Sequence, residues 1–83
     1  MYRIIFEQQP LKFFNKLDKV LQERIGRKIE ELKIKPNLGI PLIGNLAGMY
    51  KLKIGDYRII YAIQNDKLII LILKMGHRKN IYD

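Results

Sequence analysis

The sequence has no cysteine, no tryptophan and one histidine among 83 residues. Without thiols, neither a disulfide nor a thiolate metal site can form. Acids are scarce too: 8 Asp plus Glu stand against 16 Lys plus Arg, a formal net charge of +8. One His and scattered carboxylates make a poor ligand set, so no metal is expected. There are 6 glycines, and Gly44 and Gly48 match no phosphate-binding fingerprint, so no nucleotide or other cofactor is expected. No apolar run approaches the ~20 residues of a membrane span. The opening Met1–Glu7 has too short an apolar stretch for a signal peptide and reads as a strand. The expected location is the cytoplasm, with no membrane partner.

What is present is a basic, moderately apolar chain. Nearly half of it is hydrophobic, 48%, enough for the core of one small domain over residues 1–83. The positive excess suits a polyanionic partner, either nucleic acid or an acidic protein. Tyr2 to Phe6 reads as a first strand. Pro10 fits the first turn of a helix, with Leu11, Phe14 and Leu17 on one face. Asp18 is the N-cap expected for a second helix. There Leu21, Ile25, Ile29 and Leu32 form the apolar stripe, and Pro36 and Gly39 end the pattern. The charged faces of both helices read as solvated. Residues 36–49 are rich in Pro, Gly and Asn and read as a loop. Strands follow, and Lys67 to Met75 is an apolar run suited to a strand buried on both faces. The expectation is an α+β domain: an N-terminal strand and a two-helix hairpin packed on a mostly antiparallel four-stranded sheet.

The informative stretch is Tyr50-Lys-Leu-Lys-Ile-Gly-Asp-Tyr-Arg-Ile-Ile-Tyr61. Its two halves alternate with strand period around Gly55-Asp56, a two-residue hairpin signal. A tight turn sets Tyr50, Leu52, Ile54, Tyr57, Ile59 and Tyr61 on an apolar face. Lys51, Lys53 and Arg58 fall on the other, with Lys53 directly opposite Arg58. Like charges in that position are destabilising, so the three cations are read as waiting for an anion. If Gln64 faces Lys67 across the next turn, Arg58 faces Leu73. Met75 and His77 then join the same face by alternation. A bulge at Gly76 would turn Arg78 toward it too, with Tyr82 close behind.

No carboxylate pair falls on this face, which excludes hydrolysis by paired acids. Metal-free phosphate chemistry fits better. RNA carries its own nucleophile, the 2′-OH, and an enzyme need only move two protons and stabilise the added negative charge. Preorganised cations do the last of these, and His, Tyr and Lys are acid–base candidates. Which of them is the base stays open.

These residues also resemble the RelE family of toxin–antitoxin toxins. The resemblance rests on Leu42-Ile-Gly44, Tyr50-Lys-Leu-Lys-Ile54, Asp56-Tyr-Arg-Ile-Ile-Tyr61 and Gly76-His-Arg78 followed by Tyr82, and it covers the whole chain. It implies a RelE-like domain and a ribosome-dependent ribonuclease that cuts messenger RNA in the A site. It also implies a cognate RelB-like antitoxin, acidic where it meets the basic face. By the same resemblance Lys51, Lys53, Arg58, Arg78 and Tyr82 are catalytic, and His77 stands where some relatives carry another basic residue. Lys51, Lys53, Arg58, Arg78 and Lys79 are expected to bind RNA. Ile43 departs from the pattern, since many relatives have a basic residue there. The alternatives are the ParE branch, which shares the fold and poisons DNA gyrase, a non-enzymatic RNA-binding module, and a degenerate toxin that only binds its antitoxin.

Overall fold

Asp18 stops one helix from running into the next. Its backbone is extended and its carboxylate accepts a bond of 2.9 Å from the Leu21 N–H, so it caps the second helix as expected. The computed structural model describes residues 1–81. In chain order it has β1 (Arg3–Phe6), α1 (Gln8–Asn15), α2 (Lys19–Leu32), β2 (Ile40–Pro41), a single 3₁₀ turn (Gly44–Leu46), β3 (Met49–Ile54), β4 (Tyr57–Gln64) and β5 (Ile69–His77). The sheet order is β1-β5-β4-β3-β2. Only β1 runs parallel to its neighbour; the other pairs are antiparallel.

The α+β class therefore holds, but the sheet has five strands instead of four. The extra strand is β2, inside the segment read as a loop. It pairs Ile40 with Lys51 and Pro41 with Tyr50. Two residues carry no readable alternation, and Pro41 sits at an edge, where its missing N–H costs no ladder bond.

Both helices pack on one side of the sheet. Ile25, Ile29 and Leu32 of the predicted stripe are buried against Leu52, Ile54, Ile59, Tyr61, Ile70, Ile72 and Met75. Phe6 and Phe14 meet at 5.9 Å between ring centres, and Phe13 meets Tyr57 edge-on at 6.2 Å. Beyond Phe6 the β1 strand ends, and the Gln9 side chain of α1 takes its place against β5. Its amide donates to the Met75 carbonyl at 2.9 Å, and its oxygen accepts from the Met75 N–H at 3.0 Å. Backbone groups that no strand reaches are thereby satisfied. The sheet's inner face is thus committed to the helices, which leaves chemistry to the outer face.

Candidate catalytic face

The β3–β4 hairpin has the register its sequence requires: Ile54 faces Tyr57, Lys53 faces Arg58, Leu52 faces Ile59 and Tyr50 faces Tyr61. Gly55 has φ of +57° while Asp56 stays at negative φ, the arrangement of a tight turn with glycine first. Lys51, Lys53 and Arg58 are thereby held on the outer face. Lys53 is exposed, whereas Lys51 and Arg58 are 8% and 6% exposed. Arg58 turns its guanidinium toward the hairpin turn: Nη1 donates to the Gly55 carbonyl at 2.8 Å and to the Tyr57 carbonyl at 3.0 Å. Two carbonyl dipoles thus offset part of the repulsion from Lys53.

The next register differs from the expectation. Gln64 faces Ile69, not Lys67, because the turn between β4 and β5 is longer and ends at Leu68 with φ of +54°. A bulge then leaves Leu73 unpaired, since Ile60 faces Lys74 while Tyr61 faces Ile72. Arg58 consequently faces Gly76, not Leu73. Met75 faces Ile59 in the core at 1% exposure, and His77 faces Tyr57. So Met75 and His77 lie on the helix side, opposite to the side expected. The His77 ring stands edge-on to Tyr57 at 5.6 Å, and its Nδ1 accepts from the Lys79 N–H at 3.2 Å.

Gly76 itself is a regular ladder position. Its lack of a side chain serves the outer face: a Cβ there would stand 3.0 Å from Ile81 Cδ1. The chain after β5 thus folds back over the outer face, where Ile81 is buried beside Arg58's partner. Arg78 is tied to the hairpin turn. Its N–H donates to the Asp56 carbonyl at 2.7 Å, and its Nε stands 3.6 Å from Asp56 Oδ1. Lys79 is exposed. Tyr82 lies outside the described residues.

The structure therefore gathers Lys51, Lys53, Arg58 and Arg78 around the hairpin and removes His77 from them. It adds Ile60 and Lys74, which line up with Lys51 across β3, β4 and β5. Lys74 was legible only to a reader who placed the bulge at Leu73. An apolar groove of about 620 Å³ borders this row, walled by Ile43, Leu46, Met49, Leu73 and Ile81 along with Lys51 and Lys74. Ile43 is 89% exposed at its rim. Among the described residues no three His, Asp or Glu side chains are grouped to hold a metal ion. No helix among them is long and apolar enough to cross a membrane.

Behind the face, Tyr61 fixes the entry to β2. It is fully buried; its hydroxyl donates to the Pro36 carbonyl at 2.7 Å and accepts from the Gly39 N–H at 2.8 Å. Burial raises its pKa above 10.0, the Gly39 bond opposes the shift, and Tyr50, stacked at 5.4 Å, adds to it. A Cβ on Gly39 would stand 2.8 Å from the Lys51 carbonyl oxygen. The backbone of Lys51 is therefore pressed between the Tyr61-anchored loop and β4.

The family model described as the ParE toxin of the type II toxin–antitoxin system, parDE, matches residues 4–82. The mRNA interferase toxin RelE of Escherichia coli (strain K12) is 24% identical over 80 residues, covering 94% of this chain and 84% of that protein. Among solved structures, the RelBE2 toxin–antitoxin complex of Mycobacterium tuberculosis superposes with a TM-score of 0.82 at 26% identity, covering 93% of this chain and 98% of that one. The RelE–RelB complex of Pyrococcus horikoshii OT3 gives 0.76 at 26% identity, covering 96% and 98%. An N-terminal strand, two helices and a cation-bearing hairpin in this order, over nearly the full length, assign the chain to the RelE/ParE superfamily of type II toxin–antitoxin toxins.

Proposed function

We propose that this toxin is a ribosome-dependent endoribonuclease that cuts messenger RNA in the A site without a metal ion. The observation that carries the reading is Lys53 directly opposite Arg58 on the outer face, with Lys51 and Arg78 beside them. A fold gains nothing by opposing two cations, whereas a phosphate between them is held from both sides. The RelE relative named as an mRNA interferase supports the same reading.

In the reaction the 2′-oxygen attacks phosphorus and the bond to the 5′-oxygen breaks. The products are a 2′,3′-cyclic phosphate and a 5′-hydroxyl. One proton leaves the 2′-OH and another reaches the departing 5′-oxygen. Arg58, preoriented by the turn carbonyls, and Arg78, tethered at Asp56, clamp the phosphoryl oxygens. Arginine suits this because it stays charged and cannot trade the proton. Lys51 and Lys53 stabilise the developing charge and are candidates for the proton transfers, as is Tyr82. His77 is left out of this set, because its ring packs on Tyr57 on the helix side. Lys79, exposed beyond β5, contributes to RNA binding.

The protein that silences such a toxin must cover the same cations, so the antitoxin segment over this face is acidic. The neighbouring apolar groove gives its nonpolar residues a seat. RelE–RelB complexes of similar fold support a protein partner of this kind.

The test is to add the purified chain to a translating extract and map 5′ ends on a reporter message. Discrete cuts at the A-site codon are expected. The family model carries the ParE name, which favours a second reading, a gyrase poison. Intact message with blocked replication would establish that one instead.

A further inference from the structure

The charged face of α2 is exposed, as its sequence suggests, and it borders a cleft. Arg24, Arg27 and Lys28 recur at three and four residues and so share one side of the helix. That side looks onto the edge of β3. β2 pairs with Tyr50 and Lys51, so among the described residues the edge from Leu52 to Ile54 has no partner strand. Between α2 and this edge lies a cleft of about 880 Å³, lined by Arg24, Arg27, Lys28 and Lys53. Two carboxylates, Glu30 and Glu31, line it as well. Each is engaged: Glu30 with Lys33 at 2.8 Å and Glu31 with Lys28 at 3.3 Å. The positive excess of the cleft thus rests on Arg24, Arg27 and Lys53. The Arg24 guanidinium reaches the hairpin turn, where a Cβ on Gly55 would stand 2.8 Å from it. Cations therefore flank the turn on both sides, Arg24 toward the helix and Arg58 toward the outer face. Lys53 belongs to both the cleft and the cation row of the outer face.

We infer that the cleft between α2 and the open edge of β3 is a second track for the phosphate backbone of single-stranded RNA, continuous through Lys53 with the basic outer face. The inference rests on the nucleic-acid reading of that face. Its function is to hold the strand on the far side of the hairpin from the scissile phosphate. Arg24 and Arg27 are binding residues in this scheme and do not touch the reacting atoms.

Binding is measured by fluorescence anisotropy of a short single-stranded 2′-O-methyl RNA, which lacks the nucleophile and cannot be cut, across a series of salt concentrations. The variants are R24Q/R27Q and, as a control with the same loss of charge, K16Q/K19Q at exposed positions outside the cleft. Thermal melts establish that both fold. For single strands each phosphate contact contributes a slope of about 0.7 in log affinity against log salt. The cleft variant should lose about 1.4 from the slope and bind about 25-fold more weakly at 0.1 M salt, while the control stays near wild type. Equal behaviour of the two variants overturns the cleft and leaves the outer face standing. Failure of the wild type to bind the RNA overturns the cleft alone, because a ribosome-dependent enzyme needs no affinity for free RNA; the outer face is judged by the cuts mapped in the translating extract. Binding of polyglutamate that depends on Arg24 and Arg27, with RNA binding unaffected by them, overturns the RNA assignment in favour of an acidic peptide.

Discussion

Lys53 and Arg58 oppose each other across one ladder position, yet the structure gives them different burdens. Lys53 is exposed and its removal relieves repulsion, so Lys53→Ala should leave stability unchanged or raise it by about 0.2–1 kcal/mol. Arg58 is buried and donates to two turn carbonyls. Its loss sacrifices charge-assisted bonds, partly offset by the same relief, so Arg58→Ala should cost about 1–2 kcal/mol. Both variants should slow single-turnover cleavage on ribosome-bound message by roughly 10²–10³-fold, as for one lost transition-state donor. Melting curves and cleavage rates on each variant check this. Normal rates in both would defeat the phosphate site. Tyr61 is a purely structural counterpart. Tyr61→Phe strands the Gly39 N–H and the Pro36 carbonyl, at a cost of about 1–3 kcal/mol. Its pKa is raised in the folded state, so the unfolded chain ionises first as pH climbs past 10.0. The stability that depends on the neutral hydroxyl is complete below that pH and declines above it. Denaturant midpoints from pH 8 to 11 should fall more steeply in the wild type than in Tyr61→Phe.

Among the elements, β2 is the weakest by sequence and has a disproportionate part in placing the site. It is two residues long, yet it borders Lys51. Its position depends on Gly39, whose neighbours are the Lys51 carbonyl and the Tyr61 hydroxyl. Gly39→Ala forces a methyl against backbone that cannot retreat without moving β3. A loss of about 1–3 kcal/mol is expected, the range for overpacking, and cleavage should fall as Lys51 shifts. A variant with wild-type melting and wild-type rate would show that β2 does not hold Lys51. The N-cap offers a contrast of scale. Asp18→Ala should cost about 1 kcal/mol and leave the cleavage rate of the folded fraction intact, because the Asp18 carboxylate caps the Leu21 N–H at the start of α2 and is not one of the cations of the outer face or the cleft.

For the whole molecule the decisive quantity is a net charge of +8 on 83 residues. Such a surface attracts polyanions at long range, and salt screens the attraction. Coexpressed with an acidic antitoxin, the toxin should elute as a complex whose association slows as salt rises from 0.05 to 0.5 M. Good yields of toxin alone from unimpaired cells would count against the inhibited-toxin reading. Cleavage should also continue in the presence of a chelator at concentrations that leave ribosomes assembled, because attack by the 2′-OH does not require a metal. Abolition under those conditions, with intact ribosomes verified by sedimentation, would exclude the metal-free route.

The sequence alone determined the hairpin, the helix stripe and the cap. Period-2 alternation around Gly55-Asp56 admits one register, and the 3.6-residue spacing of Ile25, Ile29 and Leu32 admits one buried face. Lys51, Lys53 and Arg58 could therefore be placed on a common face with no structure in hand. Only tertiary structure decided what β5 brings to them. Its apolar run is uniform, so nothing in it marks the longer turn before Ile69 or the bulge at Leu73. A single unpaired residue reverses every side chain beyond it, which is why His77 lies against Tyr57 and Gly76 lies opposite Arg58. The two strand residues of β2 were invisible for the related reason that two positions have no period; a buried tyrosine hydroxyl and a close backbone contact place them. The cations of α2 were legible as a helical face, but that they look onto an open strand edge depends on where the chain ends its pairing, and that is fixed by packing between distant segments.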